Sequence, residues 1–563
     1  MTQLLLLMSV LVPFLLGLGL LFWRGGFRLL PLGALPALFA AVLLPVDSAM
    51  ELPLLLLGSV WGLDGPGRIF LLLSGLLWLG SALYALGYLH KRRRRFGVFF
   101  LLAMSGNFGL IIAQELLSFY LFFALMSLAS YGLVVHERSQ AALRAGRIYI
   151  ILVLLGEVLL FTALVMLVNA SAGKLDFASV RSAAAQLAHA DLLYLLLLGG
   201  LGIKAGLIGL HVWLPLAHPV APIPASAVLS GAMIKAGLLG WLRLLPMGEV
   251  TLAGWGETIM LLGMLTAFYA ALIGVLQRDP KVVLAYSSIS QMGVMILGVG
   301  AGLLSPAAWP LLFMAVTLYA LHHGLVKGAL FLGVGMSVAA SHRQRYWVGA
   351  GLLLAALAMA GAPWSGGMLV KDLLKSGLQS IESAGVYTDL LPWSALATSL
   401  LMLRFLYLVW SRQPNTGASG INDAMLTGWL LVLMGALFLS WGIWLTGADL
   451  VGEFKFAPLA SLWPLGGALL IGGVFWRWRG NWPAVPAGDI VVPLEKLVIR
   501  LLAVISIVSN ALNRWSGPPR WVRSYRLTAL GSAEVWLTRW KSATGLFVLL
   551  VILLIVAGSV TGG

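Results

Sequence analysis

The sequence predicts an all-α polytopic membrane protein of about 14–16 transmembrane helices. Three observations lead there. Charged residues make up 10% of the 563 and hydrophobic residues 60%, whereas an ordinary soluble domain carries about 25% charged residues. Apolar stretches of about 20 residues, long enough to span a bilayer, recur from end to end. They are continuous, unlike the short alternating segments of a β-barrel. So few charges cannot clothe a water-facing surface, which excludes a soluble globular enzyme. The absence of Cys excludes a disulfide scaffold, a thiolate zinc site and a Cys-ligated iron–sulfur centre. The net charge of +16 does not point to nucleic acid, because a basic patch needs an exposed domain to sit on.

Candidate spans begin near Leu4, Leu29, Ile69, Phe96, Leu116, Ile148, Leu192, Ile223, Leu252, Lys281, Pro306, Trp347, Leu390, Met425, Leu459 and Ala543, about sixteen in all. Residues 51–63 read as a short extracytoplasmic excursion. Odd-numbered loops are basic, with Arg24 and Arg28, Lys91–Arg95, Arg138, Arg144 and Arg147, Arg278 and Lys281, Arg343 and Arg345, and Arg412. Even-numbered loops carry Asp47, Glu51, Asp64, Asp176, Asp191, Glu249, Asp389, Asp449 and Glu453. The positive-inside rule therefore places odd loops in the cytoplasm and the N-terminus outside. The first span lacks the basic start and small-residue cleavage site of a signal peptide. The Lys91–Arg95 run reads as a topogenic anchor. Residues 489–541 are too polar to span. Leu494, Leu497, Ile499, Leu501, Leu502, Ile505, Val508 and Leu512 fall broadly on one helical face, and beyond Pro519 Trp521, Trp536 and Trp540 alternate with arginines. This segment is expected to lie along the membrane interface, before a last span at 543–560.

Ionisable residues at membrane depth are costly, so each is a functional candidate. In chain order these are Glu115, Glu157, Lys204, His211, His218, Lys235, His322, His323, Lys327, Lys371 and Asp372, followed by Lys375. Lys predominates. Low dielectric favours the neutral amine, and a neighbouring carboxylate that gains and loses its proton would switch it, which is the chemistry of a proton relay. The lysines also sit beside helix breakers: Pro215, Pro219, Pro222 and Pro224 follow Lys204, and Pro363, Gly366 and Gly367 precede Lys371. Broken spans are tolerated where they line a hydrated cavity or are buried in protein. His323 and Lys327 are spaced i,i+4 and share a helix face. A set of lysines spread over several spans has no evident packing purpose.

The run from His211-Val212-Trp213-Leu214-Pro215 through His218-Pro219 to Ser230-Gly231-Ala232-Met233-Ile234-Lys235 resembles the signature of the antiporter-like membrane subunits. These occur in respiratory complex I, group 4 membrane-bound hydrogenases and Mrp-type cation/proton antiporters. Asp279-Pro280-Lys281 followed by Leu284-Ala285-Tyr286-Ser287-Ser288, and His323-Gly324-Leu325-Val326-Lys327-Gly328, extend the resemblance over about residues 60–420. It implies N-terminal spans at 1–95, two inverted five-helix repeats at 96–246 and 252–412 (spans 4–8 and 9–13), further spans at 424–478, and the interfacial segment and last span. It also implies two half-channels meeting at a central hydrated axis. By position, Lys204 is the broken-helix Lys of the first repeat and Lys235 the connecting Lys. His323 and Lys327 form the central relay, and Lys371 is the broken-helix residue of the second repeat.

One departure matters. The family's span-five Glu has no counterpart, because the stretch reads Phe123-Ala124-Leu125-Met126-Ser127. Glu115 lies nine residues before Ala124, about 13 Å along a helix, too far to replace it. Glu157, in Gly156-Glu157-Val158, is expected to pair with Lys204 instead. The expected function is proton or Na+/H+ translocation within a hetero-oligomeric complex that includes related antiporter-like subunits. No cofactor and no metal is expected in this chain, so redox or hydrogenase chemistry would belong to partner chains. The sequence does not separate a redox-driven pump from an Mrp-type antiporter. The alternative is a scaffold subunit that has lost transport, which the Ala at position 124 motivates.

Overall fold

A computed structural model describes residues 2–53, 55, 58–187, 190–412, 420–447, 462–477, 485–490 and 492–493. The chain divides into a large unit, residues 1–52 and 59–485, and a small one, residues 53–58 and 486–563. The described part of the small unit includes a turn at 487–490. The interfacial segment expected at 489–541 and the span expected at 543–560 lie essentially outside the described residues.

In chain order the helices are α1 Thr2–Gly19, a 3-10 stretch Arg24–Ala34 leading into α2 Leu35–Leu43, α3 Gly65–Tyr88, α4 Arg93–Ile112, α5 Leu116–Val134, α6 Gln140–Ala170 and α7 Phe177–Gln186. Then come α8 Asp191–Ala205, α9 Trp213–Val220, α10 Ile223–Val228, α11 Lys235–Leu244, α12 Ala253–Val275, α13 Pro280–Leu304 and α14 Trp309–Ala339. The last are α15 His342–Ala360, α16 Gly366–Gln379, α17 Gly385–Ser411, α18 Asp423–Gly447 and α19 Leu462–Arg477. Among the described residues twelve helices are long and apolar enough to cross a membrane, and the chain is a multi-pass membrane protein. Two further stretches are interrupted, between α8 and α9 after Gly206 and between α15 and α16 after Gly361. The stretch read as an extracytoplasmic excursion is a hairpin, with β1 Ser48–Leu52 antiparallel to β2 Ser59–Leu63 in the register Ser48↔Leu63 to Leu52↔Ser59.

Local signals set many helix starts. The side chains of Asp64, Glu115, Ser139, Asp176, Asp279 and Ser365 accept backbone N–H bonds at the N-termini of α3, α5, α6, α7, α13 and α16, satisfying donors that a helix start leaves open. Glu115, a candidate site residue by sequence, does this capping work.

The polar residues face inward. On α6, Leu154, Leu155, Val158 and Phe161 are exposed, whereas Val153, Gly156, Glu157 and Leu160 are buried. Three spans are covered by protein over their apolar stretch, α4, the α10–α11 span Ile223–Leu244, and α13. α12 and α13 meet backbone to backbone, since a Cβ on Gly293 would come 2.5 Å from the Gly263 carbonyl oxygen. Close approach through small residues is how helices pack in membranes, where apolar burial between helices drives little.

The basic run before α4 has a packing role besides its topogenic one. Arg92 donates to the carbonyls of His136 and Glu137 at 3.0 and 2.9 Å, and Arg95 to that of Val135 at 3.4 Å. They thus clasp the C-terminal end of α5, where carbonyls lack helical partners. Burial, and then the charges of Arg95, Arg92 and Arg138, push the loop residue His136 down to about 4, so it stays neutral among the guanidinium groups.

Arg243 in the last turn of α11 joins three elements. It donates to the Leu110 and Ile111 carbonyls of α4 at 2.9 and 2.6 Å and pairs with Asp64, the α3 cap, at 2.8 Å. Replacing it removes the charge partner of Asp64 and the donor to two α4 carbonyls. Arg243→Met is expected to destabilise the subunit by about 3 kcal/mol, read as a lower thermal unfolding midpoint in detergent.

Candidate ion-translocation site

The first cluster forms where α8 stops. Gly206, with φ +80°, ends the helix just after Lys204, a conformation glycine adopts without strain. Lys204 is buried, and its Nζ donates to Ser127 Oγ of α5 at 3.1 Å. The rings of Phe123, Tyr149 and Trp213 surround the ammonium at 5.8, 5.9 and 6.0 Å from their centroids, at the outer range of cation–π attraction. Two of the rings are held by hydrogen bonds. Trp213 Nε1 donates to the Ile203 carbonyl at 2.7 Å and Tyr149 Oη to that of Ser127 at 2.8 Å.

Glu157 of α6 is buried and faces Lys204 and Ser127. Its oxygens make no direct hydrogen bond among the described residues. Glycines bring it there: a Cβ on Gly200 of α8 would lie 2.9 Å from the Leu160 backbone nitrogen, and one on Gly156 3.2 Å from the Gly200 carbonyl oxygen. Ser127 is one turn along α5 from Ala124, so a hydroxyl serves near the position where the family pattern has a carboxylate. Sequence reading found Glu157 and Lys204. It missed Ser127 and the three rings, which come from three separate helices, α5, α6 and α9.

The second cluster is central. The helix widens between α10 and α11 into a π turn, Leu229–Met233, with Ile234 N–H bonding to the Leu229 carbonyl at 3.3 Å. Such turns leave carbonyls without their usual partner. Lys235 Nζ takes the Ser230 carbonyl at 2.8 Å. From there a polar chain runs to α14. Ser230 Oγ and Ser288 Oγ share a hydrogen bond at 2.6 Å, Ser288 Oγ donates to the Leu284 carbonyl at 2.9 Å, and Lys327 Nζ donates to that same carbonyl at 2.9 Å. His323 is buried beside Lys235, Lys327 and His322, so the i,i+4 spacing does place it with Lys327. Its two ring nitrogens have no hydrogen-bond partner among the described residues. α11 touches α8 closely, because a Cβ on Gly237 would meet the Leu201 carbonyl oxygen at 2.5 Å.

The third cluster forms at the other break. α15 ends on Gly361 with φ +87°. Lys371 Nζ donates to the freed carbonyls of Ala360 and Met359 at 2.8 and 3.3 Å. His322 Nε2 lies 3.2 Å from the Ala358 carbonyl oxygen, and Lys371 is within its electrostatic reach. Gly367 is required here, since a Cβ would fall 1.9 Å from the Ala358 oxygen. A cavity of about 110 Å³ is lined by Lys371, Asp372 and Lys375 of α16, Ser394 of α17, and Trp463 and Pro464 of α19, with room for several waters. His211 lies apart from these clusters, edge-on to Tyr269 and Tyr286 at 5.6 and 6.2 Å. His218 stacks on Phe331 at 4.6 Å. Among the described residues no three His, Asp or Glu side chains converge as a metal site.

Residues 113–384 match the family described as "NADH:quinone oxidoreductase/Mrp antiporter, TM", a stretch that contains every candidate from Glu115 to Asp372. Hydrogenase-4 component B of Escherichia coli (strain K12) is 31% identical over 325 residues, 54% of this chain and 48% of that protein. The alignment thus spans about half the length of this curated relative. A chain of the Mrp complex from Dietzia sp. DQ12-45-1b superposes with a TM-score of 0.72 at 21% identity, covering 97% of this chain and 63% of that one. A chain of respiratory complex I from Thermus thermophilus superposes at 0.67 with 25% identity, covering 83% and 100%. Residues 113–384 thus match the model of the family to which the motifs pointed.

The glycine crossing of α6 and α8 is what seats Glu157 beside Lys204. Gly200→Leu is expected to force the helices apart and cost about 1–3 kcal/mol. A thermal unfolding series in detergent measures this, and an unchanged midpoint would contradict the crossing.

Proposed function

We propose that this chain is a proton-translocating, antiporter-like subunit of a multisubunit membrane complex. The observation that carries this reading is the succession of buried polar clusters between the two helix breaks. Glu157, Ser127 and Lys204 lie at one end, Lys235, His323 and Lys327 in the middle, and His322, Lys371 and Asp372 at the other. Such groups are costly at membrane depth and are kept where ions or protons move.

The working cycle begins with Glu157 and Lys204. An acid and an amine in low dielectric form either a neutral pair or an ion pair, and one proton transfer converts one into the other. Ser127 accepts from Lys204 and turns its own hydrogen toward Glu157. When Lys204 gives up its proton toward Lys235, charge shifts onto the central relay. Lys235 and Lys327 share a hydrogen-bonded chain through Ser230 and Ser288, so protonating one disfavours protonating the other. The proton then passes by His323 and His322 to Lys371, and on to the hydrated cavity beside Asp372. In this reading the two breaks belong to inverted repeats.

The partners are further membrane subunits, related antiporter-like ones among them, within a prokaryotic plasma membrane whose cytoplasmic side receives the basic loops. This is supported by the family match and by the complexes in which the similar structures occur. An energy source from redox chemistry would lie in those subunits. The residue at 124 favours one competing reading, a scaffold without transport. The Ser127, Glu157 and aromatic grouping around Lys204 speaks against it, because an inactive scaffold gains nothing by keeping a buried ammonium opposite a buried acid.

The test is transport by the assembled complex in membrane vesicles, followed with a pH-sensitive dye and repeated with and without Na+. Glu157→Gln, Lys204→Ala, Lys235→Ala and Lys371→Ala are each expected to lower the rate at least about tenfold while the complex still assembles. Full rates in all four would establish the scaffold reading.

A further inference from the structure

The relay above leaves one buried pair unused. His218 on α9 is fully buried, and its ring stacks on Phe331 of α14 with centroids 4.6 Å apart. Neither ring nitrogen has a hydrogen-bond partner among the described residues. Two lysines lie within its electrostatic reach, the central Lys327 and Lys281 at the start of α13.

Lys281 was counted by sequence as a loop charge. It is in fact largely buried, and its Nζ donates to the carbonyls of Ala221 and Pro219 at 2.7 and 3.2 Å. These carbonyls lie just past His218, where α9 ends. The charged groups facing Lys281 are Asp279, Arg412 and Glu137. Asp279 and Arg412 form an ion pair at 2.9 Å with side chains 40% and 45% exposed, and Glu137 is exposed. A line of ionisable groups therefore leads from an exposed patch to Lys281, then His218, then Lys327.

We propose that Lys281 and His218 form a branch that carries protons between this exposed patch and the central relay. The branch rests on the relay reading and adds its connection to the basic-loop face. Imidazole suits the task because it accepts a proton on one ring nitrogen and releases another from the second. Stacking on Phe331 holds the ring plane while protons exchange at its edge. The Lys281 ammonium passes a proton to one nitrogen of His218 and becomes the neutral amine. The imidazolium gives its other proton to the Lys327 amine, which becomes the ammonium. Lys281 is then reprotonated from water at the Asp279–Arg412 patch, so one proton has moved inward and His218 has changed tautomer. The same steps in reverse move a proton outward.

The experiment compares transport in vesicles of the assembled complex carrying His218→Phe, Lys281→Met, His218→Ala and, as reference, Lys235→Ala. His218→Phe keeps a stacked ring and removes both nitrogens. Lys281→Met keeps the stem and removes the charge. Both are expected to slow transport at least about tenfold, and added imidazole is expected to restore His218→Ala. Normal rates in His218→Phe or Lys281→Met, with Lys235→Ala blocked, would overturn the branch and leave the relay standing. Slow His218→Ala that imidazole does not restore would overturn proton carriage by the ring. Normal rates in Lys235→Ala as well would overturn the relay itself.

Discussion

An ammonium ion away from water has to be solvated by the protein, and in this fold backbone carbonyls do most of it. In a regular helix each interior carbonyl already accepts a bond from four residues on, whereas a helix end or a π turn leaves carbonyls open. Three of the lysines sit at such irregular places. Lys235 uses Ser230 at a π turn, Lys281 the end of α9, and Lys371 the end of α15. Lys327 shares the Leu284 carbonyl with the Ser288 hydroxyl. Prolines and glycines that would be costly in a plain packing helix thus supply the local solvent for charge.

Lys204 is the exception. Its partner is a hydroxyl, its surroundings are aromatic, and its acid stands on a different helix from the one the family pattern suggests. Ring quadrupoles favour the cation, and the Glu157 oxygens, which make no hydrogen bond among the described residues, face it. The Gly156–Gly200 crossing brings α6 close to α8 and seats Glu157 near Lys204.

Much of the fold was legible because a bilayer imposes one simple rule on every span, a long apolar run with its charges in loops. Start points such as Leu116, Ile223 and Met425 fall at or within a few residues of observed helix starts. The hairpin at 48–63 was not legible, since its pairing depends on a register that no local pattern announces. Among site residues, those costly in a membrane stood out: Glu157, Lys204, Lys235, Lys327 and Lys371. Ser127, Ser230 and Ser288 did not, because hydroxyls are cheap and common in spans. Lys281 was read both as the start of a span and as a loop charge; it stands at the start of α13 and is largely buried. Glu115, a candidate by the same rule, caps the start of α5.

The account depends on a proton moving between Glu157 and Lys204 as the complex works. Infrared difference spectroscopy of the membrane-embedded complex, with labelled glutamate and Glu157→Gln as the assignment control, reads this directly. The carbonyl stretch of a protonated Glu157 should appear and disappear as the driving force is switched, and should stay constant when Lys204 is replaced by Met. A Glu157 band that never changes in the working wild-type complex would contradict the account.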